Sequence, residues 1–219
     1  MIITIDGPAG SGKSTVAKML AERLGVRFLD TGAMYRAVAY AVLQRQVAES
    51  DTHRIAELVT DLRLEFCDNL LHMNGDDVSE KIRTPDVSAI SSVVAAQPAV
   101  RERLVDLQRQ IGQQGPLVTE GRDQGSVVFP GAEFKFFLTA SVDARARRRH
   151  RELVAKGSSL TLDTVKQQLR QRDHRDETRS HAPMKPAKDA IIIDTSDLTI
   201  AQVVETLVRR IRNRQPVTG

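Results

Sequence analysis

A glycine-rich run near the start of the chain constrains the fold more than any other feature: Gly7-Pro8-Ala9-Gly10-Ser11-Gly12-Lys13-Ser14. It matches the pattern G-x-x-x-x-G-K-[ST] and follows an apolar segment, Met1 to Ile5, that is typical of a buried strand. A helix is expected from Lys13, with Gly25 as its stop. Backbone N–H groups and a helix N-terminus converge on an anion in this arrangement. The run therefore predicts a site for a nucleoside triphosphate.

The predicted nucleotide site is a run of consecutive residues: Gly7, Pro8, Ala9, Gly10, Ser11, Gly12, Lys13, Ser14 and Thr15. Lys13 supplies a positive charge for the β- and γ-phosphates, and the Ser14 hydroxyl is the expected Mg²⁺ ligand. The alternative is a glycine-rich turn that binds nothing. Every fixed position of the pattern is matched between a strand and a helix, which favours nucleotide binding.

Length and composition limit the class of protein. The 219 residues suit one domain with an insertion, or at most two small domains. A net charge of +4 fits either a nucleic-acid surface or arginines gathered around a small anionic substrate. The single cysteine, Cys67, excludes an internal disulfide and suits a reducing compartment. No apolar run approaches the roughly 20 residues that span a bilayer, so we predict a cytoplasmic protein.

Apolar strands alternate with amphipathic helices along the chain, which predicts an α/β fold around a mostly parallel sheet. Further strands are expected at 27–30, 117–119, 134–138 and 190–194, the last being apolar in the manner of a buried parallel strand. Helices are expected at 31–46, at 51–61 with Ile55, Leu58, Val59 and Leu62 inward, from Pro98 with Val100, Leu104, Leu107 and Ile111 inward, and near the C-terminus. There, Thr199 and Gln202 offer a capping box. The apolar stripe of this last helix is expected to consist of Ile200, Val203, Val204, Leu207, Val208 and Ile211.

The pattern changes between Leu62 and Pro98. Apolar and polar residues alternate from Leu62 to Cys67, and turn signals follow at Asp68-Asn69 and Asn74-Gly75. These short segments predict a small antiparallel insertion at about residues 62–97.

A second motif points to a second substrate. Asp30-Thr31-Gly32-Ala33-Met34-Tyr35-Arg36 follows a predicted strand and begins a helix, so Arg36 lies one turn from a helix end that favours anions. A guanidinium in this position suits a phosphate group, although an ordinary strand-to-helix junction with an exposed arginine is the alternative. The motifs N-K-x-D, D-x-x-G and L-S-G-G-Q are absent from the chain. Their absence favours a kinase of small metabolites over a GTPase or a transporter ATPase.

Taken together, the motifs resemble those of the bacterial cytidylate kinases. The resemblance covers nearly the whole chain and includes these further segments: Ser91-Ser92-Val93-Val94-Ala95-Ala96, Pro98-Ala99-Val100-Arg101, Glu120-Gly121-Arg122-Asp123, Val127-Val128-Phe129-Pro130, and Arg172-Asp173-His174-Arg175-Asp176 with Arg179. It implies a nucleoside monophosphate kinase fold, with a P-loop core at about 1–61, 98–156 and 187–219. The insertion at 62–97 would bind the monophosphate, and residues 157–186 would form a helical lid.

The resemblance also implies the reaction: transfer of the γ-phosphoryl group of ATP, with Mg²⁺, to CMP or dCMP in pyrimidine nucleotide metabolism. The acceptor phosphate would be held by Thr31, Arg36 and Arg122, beside Tyr35. The cytosine would face Ser92, Arg101 and Asp123. The ribose would contact Arg172 and Asp176, and Arg179 would close over the base. We assign catalysis to Lys13, Arg122 and Arg175, with Arg175 at the transferred phosphoryl group.

Other functions stay open at this point. Two arginine-rich runs, 145–151 and 209–214, would suit a regulatory or nucleic-acid-associated P-loop ATPase, and a kinase of another small acceptor is a further alternative. For 145–151 we expect a solvated helix with one or two arginines that help to bind ATP. No aromatic residues interleave these runs, so we expect no nucleic acid as a partner. The expected partners are ATP and, as the resemblance implies, CMP or dCMP; we expect no membrane partner, and a monomer.

Overall fold

The computed structural model describes residues 1–67, 70–155 and 157–213. It contains two compact units. Among the described residues, the first unit comprises those within 1–28 and 115–213, and the second unit comprises those within 29–114. The predicted turn at Asp68-Asn69 lies outside the described residues, and so does Arg214 of the last arginine-rich run. The boundaries given above for core, insertion and lid stay predictions.

The strands, in chain order, are β1 (Ile2–Asp6), β2 (Arg27–Asp30), β3 (Leu64–Cys67), β4 (Leu70–Met73), β5 (Asp76–Asp77), β6 (Leu117–Gly121), β7 (Phe134–Thr139) and β8 (Ile191–Asp194). The helices are α1 (Lys13–Leu24), α2 (Thr31–Gln44), α3 (Thr52–Asp61), α4 (Pro85–Val94), α5 (Pro98–Gln113), α6 (Val142–Ala155), α7 (Leu162–Thr178) and α8 (Ile200–Arg212). Short 3₁₀ and π turns lie at Lys81–Arg83 and Gln124–Val128. None of the described helices has the length and apolar character of a membrane span.

The first unit is built on a five-stranded sheet with the order β2-β6-β1-β7-β8. Strand β1 pairs in parallel with β6 and with β7, and β7 pairs in parallel with β8. In this register Asp6 lies opposite Gly121, so the phosphate-binding loop and the segment after β6 leave the same edge of the sheet. The predicted mostly parallel sheet is confirmed. Strand β8 is an edge strand, however, and Ile192 is 60% exposed rather than buried.

Helices α1 and α8 enclose one face of this sheet. The apolar stripe of α8 is buried as predicted: Val203, Val204, Leu207, Val208 and Ile211 pack in one cluster with β1, β7 and α1. The capping box of Thr199 and Gln202 is also present, because each side chain bonds the backbone N–H of the other residue. Burial of this stripe fixes the position of α1, which begins at the phosphate-binding loop.

The second unit holds helices α2 to α5 and a three-stranded antiparallel sheet, β3-β4-β5, which falls within the predicted insertion, while α6 and α7 belong to the first unit. Helix α4 was not predicted, although Thr84 accepts the Val87 N–H and Pro85 opens the helix. The predicted inward face of α5 is partly wrong, because Arg101, Val105 and Gln108 are buried while Leu107 and Ile111 are half-exposed. The polar residues Arg101 and Gln108 lie on the buried face of α5, which the sequence predicted to be apolar.

Candidate active site

The phosphate-binding loop joins β1 to α1 and depends on glycine at three positions. Gly7, Gly10 and Gly12 have φ angles of +147°, +76° and +86°, which side chains rarely adopt. A Cβ atom at Gly7 would lie 2.1 Å from the backbone oxygen of Leu138 in β7. The loop therefore lies directly against the sheet, and only glycine fits at its first position.

Lys13, Ser14 and Glu120 meet where the loop enters α1. Lys13 Nζ donates a hydrogen bond to the Pro8 carbonyl (3.2 Å) and lies 3.8 Å from Glu120 Oε2. Ser14 Oγ donates to Glu120 Oε1 at 2.9 Å, while the serine itself is exposed. A hydroxyl beside a carboxylate is a set of hard oxygen donors, so these residues fit a Mg²⁺ ion that arrives with a nucleotide.

Burial controls the charge of Lys13, which is only 5% exposed. Desolvation, helped by the positive charge of Arg122, lowers the pKa of Lys13 from its ordinary 10.5 to about 7, although Glu120 opposes this shift. At a pH above 7 the ammonium is therefore largely deprotonated before any phosphate binds. A polyphosphate beside it would restore the positive charge.

We expect ATP binding to be accompanied by proton uptake above neutral pH. At about pH 8 to 9, between about half a proton and one proton should be bound per ATP, because the phosphates raise the lowered pKa of Lys13. Binding enthalpies measured in two buffers with different ionisation enthalpies report this number. Uptake should grow as the pH rises through about 7, where the empty site loses its proton. Zero uptake or proton release in this range would contradict the assignment.

The residues after β6 form a second charged cluster with α7. Arg122 Nε donates to Asp176 Oδ2 at 2.9 Å, and Arg179 lies 3.7 Å from Asp123 Oδ1. Burial alone would lower the pKa of Arg122, but the carboxylates of Asp176 and Glu120 outweigh it and raise that pKa. Burial alone would raise the pKa of Asp176, yet Arg122 and Arg172 hold it below its usual range. The predicted residues Arg122, Asp123, Asp176 and Arg179 therefore lie together, and their opposite charges stabilise one another.

Part of the predicted helical lid, residues 157–186, is not helical. Arg172, Arg175, Asp176 and Arg179 have helical spacing, but the helix ends at Thr178 and Arg179 is extended, with ψ of 141°. Its Nε donates to the Ala182 carbonyl at 2.7 Å. The loop after α7 therefore orients the Arg179 guanidinium, and the helix does not. Asp176 is buried, whereas Arg175 is exposed. The structure does not bring Arg175 into the charged cluster.

Within the second unit, Tyr35, Arg36 and Arg101, which were predicted to bind the phosphoryl acceptor, lie in two side-chain pairs. Asp30 caps α2, since its Oδ1 accepts the Ala33 N–H at 2.8 Å, and its Oδ2 accepts from Arg36 Nη2 at 3.1 Å. The Tyr35 hydroxyl accepts from Arg101 Nη1 at 3.4 Å, and the guanidinium carbon lies 5.9 Å from the centre of the tyrosine ring. Both arginines are thus held by a neighbouring side chain.

Thr31 and Ser92 complete the set predicted in this unit. They are 2% and 8% exposed, and Ser92 Oγ is buried with no hydrogen-bond partner in the described part of the chain. A buried hydroxyl without a partner is costly unless a ligand or water completes it.

Sequence reasoning missed Asp6, which supports the site from the end of β1. Asp6 accepts the N–H groups of Gln124 and Gly125, each at 2.8 Å, and so fixes the segment that follows Asp123. Burial raises the pKa of Asp6 to about 7 against the effect of these two bonds. The one available signal was a carboxylate at the end of an otherwise apolar strand.

The expectation of a solvated helix at 145–151 is wrong for Arg145, which is 4% exposed. Arg148 is half-buried and donates to the carbonyls of Thr195 and Ser196. Arg145 and Arg148 donate hydrogen bonds within the first unit, while Arg147 and Arg151 are exposed as expected.

Comparisons with known proteins identify the family of this chain. A family model described as cytidylate kinase matches residues 3–213. The chain belongs to the cytidylate kinase family. A cytidylate kinase from Geobacter sulfurreducens is 44% identical over 222 residues, covering 100% of this chain and 95% of that protein. A bifunctional pantoate ligase/cytidylate kinase from Synechocystis sp. is 49% identical over 214 residues, covering 94% of this chain and 42% of that protein.

Among solved structures, an uncharacterized protein from Eubacterium ventriosum matches with a TM-score of 0.54 and 15% identity, covering 98% of this chain and 99% of that one. At this identity the likeness concerns the fold alone. Family membership confirms the predicted cytidylate kinase resemblance and an ATP-dependent kinase. No finding favours a regulatory or nucleic-acid-associated ATPase.

Proposed function

We propose that this protein transfers the γ-phosphoryl group of ATP to CMP and dCMP, with Mg²⁺ bound beside the donor. The observation that carries the proposal is the cluster of Lys13, Glu120 and Arg122 at the carboxyl edge of the sheet, next to Ser14. Phosphoryl transfer brings about six negative charges together and relies on positioning and charge neutralisation. The buried side chains of Lys13 and Arg122 beside a phosphate-binding loop suit that demand.

The donor would occupy the loop from Gly7 to Thr15, with Lys13 against its β- and γ-phosphates. Ser14 would ligate Mg²⁺, and Glu120, which already accepts the Ser14 hydroxyl, would orient the metal's water ligands. The ion supplies neutralising charge at the phosphate oxygens when bound.

The acceptor needs no general base. The second pKa of a phosphate monoester is about 6, so its oxygen is ionised at neutral pH and attacks the γ-phosphorus directly. The bond from that phosphorus to the bridging oxygen of ADP breaks, and the acceptor becomes CDP or dCDP. Thr31, Arg36 and Arg122 would hold the acceptor phosphate beside Tyr35. Arg175, which is exposed here, would reach the transferred group.

The choice of base would depend on Ser92, Arg101 and Asp123. Cytosine offers acceptors at O2 and N3 and a donor at its amino group. Arg101 and Ser92 can donate, and the buried hydroxyl of Ser92 fits such a contact. Asp123 would accept from the amino group, with Arg179 beside it, while Arg172 and Asp176 would contact the ribose. Uracil would present a carbonyl to Asp123 and leave buried groups poorly paired.

A panel of acceptors tests the proposal. ADP release from ATP·Mg²⁺ should be fast with CMP and dCMP, and kcat/KM for UMP should be lower by about 100-fold or more. AMP, GMP and shikimate serve as competing acceptors, and a reaction without acceptor measures hydrolysis. Selective turnover of another acceptor would overturn the role of the base-reading residues. The absence of acceptor-dependent turnover by folded protein would overturn the kinase.

A further inference from the structure

The outer side of the phosphate-binding loop is as constrained as the side that faces the nucleotide. The loop's N–H groups can point at a phosphate only when its carbonyl groups point away, and buried carbonyls need donors of their own. Two side chains from outside the loop meet this need: Arg145 Nη1 donates to the Ala9 carbonyl at 3.0 Å, and Thr195 Oγ1 donates to the Ser11 carbonyl at 3.2 Å. The shape of the loop therefore depends on residues that are distant in sequence.

Arg145 makes further contacts that a role in substrate binding would not explain. Its Nε donates to the Ala140 carbonyl at 3.0 Å, and its Nη1 also donates to Asp173 Oδ2 on α7 at 2.6 Å. Asp173 is 7% exposed, and its other oxygen, Oδ1, is buried with no hydrogen-bond partner in the described part of the chain. One guanidinium thus holds the loop, the end of β7 and α7 together, and it neutralises a buried carboxylate.

Apolar contacts follow the same path. The side chain of Ala9 packs in a small cluster with Ala146 of α6 and with Val165 and Leu169 of α7. A Cβ atom at Gly10 would lie 3.2 Å from Arg145 Cβ, so the backbone of the loop runs close over this arginine. Helices α6 and α7 therefore support the loop by packing as well as by hydrogen bonds.

We propose that Arg145, bonded to the Ala9 carbonyl and paired with Asp173, is a positioning residue that holds the phosphate-binding loop in its ATP-binding shape and fixes it to α7. The inference rests on the proposed ATP site. Asp173 lies in the same helix as Arg172 and Asp176, so the pair also joins the donor loop to the helix proposed to contact the acceptor ribose.

Two conservative variants test the inference through binding of ATP·Mg²⁺, measured by calorimetry without acceptor. Arg145→Lys keeps the charge, but one ammonium group cannot reproduce the planar fork that serves Ala9, Ala140 and Asp173. We expect its ATP Kd to rise about tenfold or more, since small displacements of binding groups are costly. At saturating ATP, its KM for CMP should change by less than about twofold. Asp173→Asn keeps the volume and the Ala9 bond, so its effect should be smaller, about threefold to tenfold on the same Kd.

Val208→Ala is the matched control for stability. Val208 is 1% exposed on α8, and its truncation should lower Tm without changing the ATP Kd of the folded enzyme. An unchanged Kd in both Arg145→Lys and Asp173→Asn would overturn the inference, as would an equal loss in Val208→Ala. If Arg145→Lys does not fold, Asp173→Asn decides by the same readout.

The outcomes also separate the inference from the proposed function. A wild-type protein that binds ATP but does not phosphorylate CMP would refute the function, while the Kd comparison would still test Arg145. A wild-type protein that does not bind ATP would overturn both.

Discussion

Gly7→Ala should lower the free energy of unfolding by about 4 kcal/mol or more, a loss at the upper end of what single substitutions cause. The new Cβ atom would lie 2.1 Å from the backbone oxygen of Leu138, at a φ angle of +147°. Leu138 cannot move away, because β7 is paired with both β1 and β8. Backbone strain of about 1–3 kcal/mol adds to this steric clash. Thermal and denaturant unfolding measure the loss.

Gly25→Ala is the matched control for that substitution. Gly25 ends α1 at a φ angle of +66°, and a Cβ atom there would meet nothing within 4 Å. It should cost only about 1 kcal/mol, the usual penalty for a side chain in the left-handed region. Equal losses in the two variants would show that the close approach to β7 contributes nothing.

The sequence predicted the elements whose residues make their contacts locally. The phosphate-binding loop, with its glycines at required φ angles, and the capped apolar stripe of α8 both fall where expected. Helix α3 buries Ile55, Leu58 and Val59 as predicted, and Leu62 beyond its end is buried as well. In these cases the periodicity of apolar residues and the turn chemistry agree with the fold.

The errors occur where polar residues are buried. Arg101 and Gln108 turn α5 away from its expected face, and Arg145 lies in the interior of a run that reads as solvated. A sequence pattern scores an arginine as exposed, because its burial depends on partners that only the tertiary structure supplies, such as Asp173 for Arg145. Local sequence rules are expected to fail where a fold supports a functional site, and Arg101 and Arg145 are two such residues in this chain.

Some residues of the candidate site could likewise be predicted from the sequence, and others could not. Lys13 and Ser14 follow from the spacing of one motif, since the chemistry of phosphate binding dictates it. The carboxylates of Asp6 and Asp30, which hold backbone N–H groups and Arg36, follow no such spacing. Asp30 did carry a signal, because an aspartate directly before a helix is a common cap.

Lys13→Met should lower kcat by about 100-fold to 1,000-fold, the usual effect of removing one preorganised charge from a transition state. The same change should leave stability intact or raise it at about pH 7. Burial lowers the pKa of Lys13 from 10.5 to about 7, so the Lys13 amine binds a proton less tightly in the folded protein than in the unfolded chain. At about 1.4 kcal/mol for each pKa unit, this costs the wild type a few kcal/mol. Methionine fills a similar volume without that cost.

The stability difference between Lys13→Met and the wild type should depend on pH. The cost of burying Lys13 is fully present below the folded pKa of about 7 and disappears as the pH rises towards the unfolded value of 10.5. The Tm of Lys13→Met should therefore equal or exceed that of the wild type at about pH 7, and the difference should shrink by about pH 9. Lys18→Met, an exposed position on the same helix, should change neither kcat nor Tm. A Lys13→Met enzyme that is both active and less stable would mean that this lysine stabilises the fold and is not held ready for a phosphate.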